Sequence, residues 1–252
     1  MDKGFRVSCL ERFWNEPSLP RQGGEAFPER GQWSAEAGDE RCWLLDGFSS
    51  SFGLMSEELP IWDEILGEYP KTVVLESGLR CDVRPLQAHD EKAFWEFFQA
   101  VPANERVLIK HHVHREEVIA GWCAAIDYGR NLPLLAILDG QVVGACTLHQ
   151  QLGGWKRHIG RVSVFIHPLF RGRGLAKTIV QEVVDIARRI GLEKLEAEFL
   201  AEQERAIKVF ALLGFCDLLR LEEYVRDMQA VSHDYVLMGM NLTTDEEYAG
   251  VG

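Results

Sequence analysis

Several patterns that would assign a protein to a class at once are missing from this 252-residue chain. Its six cysteines are scattered and include no Cys-x-x-Cys pair, so reduced thiols in a cytoplasm are expected. No long run of Lys or Arg accompanies the net charge of -12, so binding to nucleic acid or to an anionic membrane surface is not expected. Charges interrupt every apolar segment before it reaches bilayer length, and the N-terminus lacks the apolar stretch of a signal peptide.

The first part of the chain also lacks regular periodicity. Residues 1–70 are rich in Gly, Pro and Ser and follow neither the period of a strand nor that of a helix, which predicts a loosely structured extension. A folded domain is predicted over residues 71–245, followed by a C-terminal tail at 246–252. Apolar side chains in the extension could dock on a neighbouring surface: Trp14, Trp33, Trp43, Leu44 and Leu45.

Short apolar strands and amphipathic helices follow one another from residue 71 onward. Gly78 and the dipeptide Asp139-Gly140 predict two hairpins, because these residues tolerate a positive φ. Leu175, Ile179 and related positions repeat with helical spacing, which predicts a helix that ends near Gly191. The pattern as a whole predicts an α/β domain.

A glycine- and arginine-rich loop, Arg171-Gly172-Arg173-Gly174-Leu175-Ala176, precedes this helix. The unpaired N–H groups at a helix N-terminus favour an anion, and two glycines let a phosphate approach the backbone closely. The loop lacks the Gly-Lys-Ser/Thr end of a Walker A motif and the third glycine of a dinucleotide-binding fingerprint. From the residues alone, a pyrophosphate site and a tight turn with solvated arginines both remain open.

The order of motifs resembles the GNAT superfamily of acetyl-CoA-dependent N-acetyltransferases. Ile166-His167-Pro168 leads into Arg171-x-x-Gly174-x-Ala176, which matches that superfamily's phosphate loop apart from Ile in place of Val. A helix ending in Leu-Gly-Phe, within "ERAIKVFALLGF", provides the second signature. The segments "YPK", "VRPL" and "HDYVLMGMNL" are similar to those of bacterial GNAT domains found in protein acetyltransferases.

This resemblance implies a GNAT fold: a central mixed, mostly antiparallel, splayed sheet with helices on both faces. It also implies that acetyl-CoA is the co-substrate. The backbone of Val164, Phe165 and Ile166 would pair with the pantetheine arm. The amides of Arg171, Gly172, Arg173, Gly174, Leu175 and Ala176 would hold the pyrophosphate. Transfer in this superfamily is direct attack by a neutral amine, at the place where "RVSVFIHP" parts from "LEKLEAEFL".

The acid and the base depart from the superfamily's usual pattern. Phe210 stands where many relatives carry the Tyr that protonates the leaving thiolate, so either the thiolate leaves unaided or another donor protonates it, for which Tyr235 is the candidate acid. Arg161 occupies the register in which relatives with a similar C-terminal strand carry a Glu. Glu196 and Glu198 are the remaining carboxylates on the neighbouring strand, and Glu198 lies nearer the splay, which makes it the candidate base.

Histidines are the other titratable candidates. His111, His112 and His114 are crowded, but their spacing is poor for zinc and favours the polar start of a helix, so no metal is expected. His149 and His158 flank a Gly-Gly loop that could border the acceptor site, and a histidine can take a proton near neutral pH.

Two functions from different classes follow. The first is an N-acetyltransferase that moves an acetyl group from acetyl-CoA to a primary amine, either a protein lysine or a small molecule. The second is a module that binds acyl-CoA with weak catalysis, an alternative that Phe210 and Arg161 keep open. A homodimer is also left open.

Overall fold

The computed structural model of the protein describes residues 60–243. The apolar anchors Trp14, Trp33, Trp43, Leu44 and Leu45 and the predicted tail at 246–252 lie outside these residues. The strands are β1 (Lys71–Val74), β2 (Arg80–Pro85), β3 (Asn131–Leu138), β4 (Gln141–Gln150), β5 (Ile159–Ile166), β6 (Lys194–Leu200), β7 (Cys216–Arg226) and β8 (Ser232–Asn241). The helices are α1 (Pro60–Gly67), α2 (Glu91–Gln99), α3 (Ala103–Arg106), α4 (Glu116–Ala124), α5 (Leu175–Arg189) and α6 (Glu204–Leu212).

The described strands form one sheet in the order β1-β2-β3-β4-β5-β6-β8-β7. Every neighbouring pair is antiparallel except β5 and β6, which run parallel. The predicted mixed, mostly antiparallel sheet is therefore confirmed. β5 and β6 pair only from Ile159 to Arg161 on β5, and beyond this point the two strands part. This is the splay that the resemblance implies.

Helices cover both faces of the sheet, as expected. On one face α5 packs against β3, β4 and β5, and its Ile179 and Val183 are fully buried at the predicted helical spacing. On the other face α2 packs against β4 and α4 and contributes Phe94, Phe97 and Phe98 to a second apolar cluster. Each face of the sheet thus has its own core.

Turn residues act as predicted at both hairpins. Gly78 has a φ of +79° between β1 and β2, and Asp139 and Gly140 have φ values of +49° and +79° between β3 and β4. These positive angles match the twist of the flanking strands and set their register. Gly191, with a φ of +80°, follows the end of α5 as predicted.

Two short helices had no sequence signal. α1 lies within the predicted extension, and its Ile65 is completely buried in the core that contains α5. α3 has only four residues and begins after Pro102. The boundary between extension and domain, predicted near residue 70, stays a prediction. Residues 60–67 form a helix, and Ile65 of this helix is part of the core.

Within residues 60–243, no helix is long and apolar enough to cross a membrane. The four cysteines in the range, Cys81, Cys123, Cys146 and Cys216, are free thiols. Burial raises the pKa of Cys123 to about 11 and also raises that of Cys146, so both are protonated at neutral pH.

Candidate active site

The glycine-arginine loop opens directly onto the N-terminus of α5. Gly172 and Gly174 have φ values of +73° and +84°, and Gly174 is the residue that precedes the first helical position. Residues with a side chain rarely adopt this conformation, so both glycines are required by the backbone. The first N–H groups of α5 have no partner within the helix and are available to an anion.

Two of the three cations around this loop, Arg171 and Lys177, pair with carboxylates of the chain itself. Both terminal nitrogens of Arg171 donate to Glu105 on α3, at 3.0 and 2.7 Å, and its Nε donates to the carbonyl of Ile166 at 3.2 Å. Lys177 pairs with Glu76 at 2.9 Å. Arg173 lies over the ring of Phe170, 5.3 Å from its centre. An arriving phosphate would compete with Glu105 for Arg171.

At Val164, Phe165 and Ile166, one edge of the β5 backbone pairs with β4 and the other edge has no partner strand. Val164 pairs with Cys146 and Ile166 with Gly144, whereas the β6 side has no partner strand after Arg161. This open edge can accept an extended chain by strand-like hydrogen bonding. The geometry fits the predicted place of the pantetheine arm, and these residues' role stays a prediction.

Glu198 and Tyr235, the candidate base and acid, lie together just beyond the point where β5 and β6 part. Leu237 of β8 is opposite Glu198, and Tyr235 is two residues before it on the same face. The Tyr235 hydroxyl and the Glu198 carboxylate are close enough that each shifts the pKa of the other. Two cations also contact this carboxylate: Lys110 through Nζ, and Arg161 through Nε at 3.5 Å.

Both candidate groups have shifted pKa values. Burial would raise the pKa of Glu198, but Lys110, Arg161 and Tyr235 together lower it below the ordinary carboxyl value. Burial and the neighbouring charge of Glu198 raise the pKa of Tyr235. At neutral pH Glu198 is therefore ionised and can accept a proton, and Tyr235 is protonated and can donate one. The directions of the two shifts also make Glu198 a weaker base and Tyr235 a weaker acid than the unperturbed groups.

His149 lies on the same face of the sheet, opposite Arg161 on β5. Its Nδ1 is 2.8 Å from Asn131 Oδ1 and its Nε2 is 2.9 Å from Ser163 Oγ. Burial, reinforced by Arg161 and Lys110, lowers the pKa of His149 to about 3. This ring stays neutral at neutral pH and is a weak base, which argues against the proton-accepting role considered for it.

Phe210 and Glu196 take structural roles. Phe210 is almost fully buried in α6, with its ring 4.9 Å from the rings of Phe199 and Phe215. Glu196 is bound by Lys156 at 3.2 Å and lies where β5 and β6 still pair, opposite Arg161. Of the two carboxylates considered on β6, Glu198 is the one beyond the last strand pair.

Lys110 and Glu105 are site neighbours that sequence reasoning missed. Both belong to residues 103–111, which combine a four-residue helix with irregular turns and carry no periodic signal. The sequence marks Arg161 only as a departure from a pattern, whereas the β5–β6 register places it opposite Glu196, from where its Nε reaches the candidate base. Within residues 60–243, no group of His, Cys, Asp or Glu is arranged to hold a metal ion.

Comparison with solved structures reveals the same fold. The GNAT domain of S. lividans PAT is 17% identical and has a TM-score of 0.56, covering 68% of this chain and 96% of its own. Salmonella typhimurium yncA, solved with its cofactor acetyl-CoA, is 20% identical and has a TM-score of 0.56, covering 65% of this chain and 95% of its own. At these identities the likeness concerns the fold.

Two curated proteins with similar sequences are acetyltransferases. The L-methionine sulfoximine/L-methionine sulfone acetyltransferase of Salmonella typhimurium is 27% identical over 84 residues, which is 31% of this chain and 49% of the relative. The L-amino acid N-acetyltransferase AaaT of Escherichia coli is 25% identical over 83 residues, 32% of this chain and 51% of the relative. The chain thus spans about half the length of the curated relatives it matches.

The profile of the Acetyltransferase (GNAT) family matches residues 84–215, which is more than half of the chain. This range begins in β2 and ends just after α6, so it includes the splay, the glycine-arginine loop and Glu198. Together with the fold, the match identifies this chain as a member of the GNAT family of acetyltransferases.

Proposed function

We propose that the protein is an N-acetyltransferase that transfers an acetyl group from acetyl-CoA to a small primary amine by direct attack. The proposal is carried by one observation: Glu198 and Tyr235 lie together at the splay of β5 and β6. The glycine-arginine loop follows β5 directly. A phosphate-binding loop, an open strand edge and an acid–base pair are the parts that such a transfer needs.

Acetyl-CoA would occupy the half of the site formed by β5 and α5. The amides of residues 171–176 would hold the pyrophosphate, with Arg171 and Arg173 as charge-assisted donors. The open edge at Val164 to Ile166 would hold the pantetheine arm and so position the thioester at the splay. GNAT membership and the acetyl-CoA bound in yncA support this assignment.

The amine would bind at Glu198. This ionised carboxylate would attract an ammonium group and take its proton, which makes the nitrogen nucleophilic. Tyr235, which stays protonated, would supply a proton to the leaving thiolate. This assignment gives the acid role to a residue of β8 rather than to position 210, where the side chain is part of the core.

An α-amino acid is the acceptor class that the site's charges and the relatives favour. Arg161 lies beside Glu198, with its Nε 3.5 Å from the carboxylate, and its side chain is 39% exposed, so its guanidinium can donate to a carboxylate next to the amine that Glu198 holds. Two relatives are named for action on amino acids or their analogues. A small molecule is thus preferred to a protein lysine, and the cytoplasmic location and the homodimer stay predictions.

Pairs of acceptors that differ by one group test this assignment. Several L-amino acids would each be compared with the amine that lacks only the α-carboxylate, with CoA thiol release as the readout. Because a hydrogen bond to a charged group contributes roughly 1.5–3 kcal/mol, kcat/KM for the amino acid should be at least about tenfold higher. Arg161→Gln should remove most of that preference. Equal use of both members of each pair, or preference for lysine peptides, would refute the amino acid class.

The phosphate loop is tested separately by calorimetry with acetyl-CoA. Arg173→Glu places a negative charge against the pyrophosphate and should weaken binding roughly tenfold or more. Arg115→Glu, the same charge change at an exposed residue before α4, is the matched control and should leave binding unchanged. Unchanged affinity in Arg173→Glu would reject this placement of the phosphates.

A further inference from the structure

Lys110 reaches the candidate base from a loop whose backbone is fixed by packing. The loop connects α3 with α4 and is anchored by Ile109 and Val113, both buried in the core beneath α2 and α4. Met228 N, at the tip of the β7–β8 hairpin, donates to the carbonyl of Val107 at 3.2 Å and holds the loop from the other side. The position of Lys110 is therefore set by the fold on both sides of the loop.

The Lys110 ammonium contacts the Glu198 carboxylate directly. The side chain of Lys110 is 60% exposed, whereas that of Glu198 is 16% exposed. The lysine therefore approaches a largely enclosed carboxylate from the solvent side. An acceptor bound for transfer would place its own primary amine against the same carboxylate. In the free protein, Lys110 thus holds the place of the acceptor's amine.

We propose that Lys110 is a self-acetylation site, modified by the chain's own active site when no free acceptor is present. This inference rests on the proposed function, because it uses the same thioester and the same base. Held beside Glu198, the lysine has a high effective concentration at the reacting centre, which is the advantage of an intramolecular nucleophile.

The proposed step balances as an ordinary aminolysis. Glu198 takes one proton from the ammonium and releases it to solvent. The neutral nitrogen of Lys110 then forms a bond to the acetyl carbon while the carbon–sulfur bond breaks. The second proton passes to the departing thiolate, so that the products are acetyl-Lys110, CoA thiol and one proton.

Acetylation would change the electrostatics of the acceptor site. The acetylated nitrogen is uncharged and loses its ion pair with Glu198, while Arg161 remains beside the carboxylate. The ammonium group of an arriving acceptor would then compete with Arg161 alone for the Glu198 carboxylate. The modification should therefore lower KM for free acceptors, an effect that Lys110→Gln should reproduce.

The test is peptide mass spectrometry of the full-length wild-type protein incubated with acetyl-CoA alone. Lys156 is the matched internal control, because it pairs with Glu196, the neighbouring carboxylate on β6 where β5 and β6 still pair. We expect acetylation of Lys110 to be roughly tenfold or more faster than that of Lys156, as intramolecular positioning requires. The first-order rate constant should not depend on protein concentration, Glu198→Gln should slow the reaction, and an added amino acid acceptor should suppress it.

The outcomes separate this inference from the function on which it rests. Turnover of a free acceptor with Lys110 modified no faster than Lys156 would overturn the inference and leave the proposed function intact. A rate constant proportional to protein concentration would also overturn it, because the reaction would then be intermolecular. Absence of both turnover and Lys110 acetylation, in a sample that binds acetyl-CoA, would reject the two proposals together.

Discussion

At the scale of single residues, the state of Glu198 depends on its neighbours. Burial of this carboxylate opposes its charge, and Lys110, Arg161 and Tyr235 together reverse that effect. Its lowered pKa means that Glu198 stays ionised through neutral and mildly acidic pH. Activity that depends on the ionised form should therefore fall only when the pH drops below the ordinary carboxyl range near 4.3.

Replacement of Glu198 tests this role. Glu198→Gln removes the base with little change in shape, so kcat should fall roughly 10²- to 10⁴-fold while affinity for acetyl-CoA is spared. Steady-state kinetics and calorimetry on the same sample measure the two effects. Glu196→Gln, two residues away and paired with Lys156, is the control, and an equal loss of rate in both variants would remove Glu198 from the base role.

His149 predicts a dependence of stability on pH. The pKa of His149 is about 3 in the folded protein, compared with about 6.5 for an exposed histidine. As the pH falls below 6.5, the unfolded chain therefore binds a proton at this residue and the folded chain does not. The free energy of unfolding should drop by about 1–2 kcal/mol more between pH 7 and pH 5 in the wild type than in His149→Gln. Urea unfolding at the two pH values measures the difference.

An exposed histidine provides the control for this measurement. His114→Gln should keep the pH dependence of the wild type, because His114 lies on the surface before α4. If His149→Gln and the wild type lost the same stability between the two pH values, the neutral, buried state assigned to His149 would be wrong.

Several residue-level features could be predicted from the sequence, and others could not. Asp139-Gly140 and Gly78 were predictable because their φ preference is local. Glu198 and Tyr235 could be proposed because the resemblance to a known family implies where the splay lies, and Glu198 is the remaining carboxylate nearest to it. Lys110 could not, because its contact with Glu198 depends on the packing of an irregular loop through Ile109 and Val113.

At the scale of elements, the start of β5 is tightly packed. A Cβ on Gly160 would lie 2.8 Å from side-chain atoms of Leu148 and of Leu192 and 2.9 Å from Leu195. This close approach occurs where β5 pairs with β6, at the root of the splay. The absence of a side chain at this position lets the two strands meet before they part.

Gly160→Ala should therefore overpack this junction and lower the free energy of unfolding by about 1–3 kcal/mol. Gly153→Ala is the matched control, because a Cβ there meets no atom within 4 Å and its φ is not positive. Chemical denaturation of both variants measures the difference. A Gly160→Ala protein as stable as Gly153→Ala would contradict the packing described for the splay.

The link between α3 and the phosphate loop gives a second prediction at this scale. Glu105 holds Arg171 in the free protein, so Glu105→Gln should release the guanidinium and tighten acetyl-CoA binding. An exposed ion pair contributes roughly 0.2–1 kcal/mol, which corresponds to a gain of up to about fivefold. Glu117→Gln, an exposed carboxylate paired with Arg115, should change nothing. Weaker binding in Glu105→Gln would contradict the competition inferred here.

At the scale of the whole molecule, two distant parts of the chain build the site. Residues 103–111 contribute Glu105 and Lys110, and the segment from β5 to β8 contributes the glycine-arginine loop, the candidate base and the candidate acid. The sheet order and the splay could be predicted because the loop motif and the Leu-Gly-Phe motif occur in the order of a known family. The position of residues 103–111 beside the site could not be predicted, because neither motif includes these residues.

The central claim is that this site transfers an acetyl group to a small amine, and one measurement tests it directly. Thiol release from acetyl-CoA would be followed with amino acids, simple amines and lysine peptides, and acetyl-CoA binding would be measured by calorimetry on the same sample. We predict binding with turnover, fastest for an amino acid. Firm binding without turnover across the panel would contradict the claim and favour a module that only binds acyl-CoA.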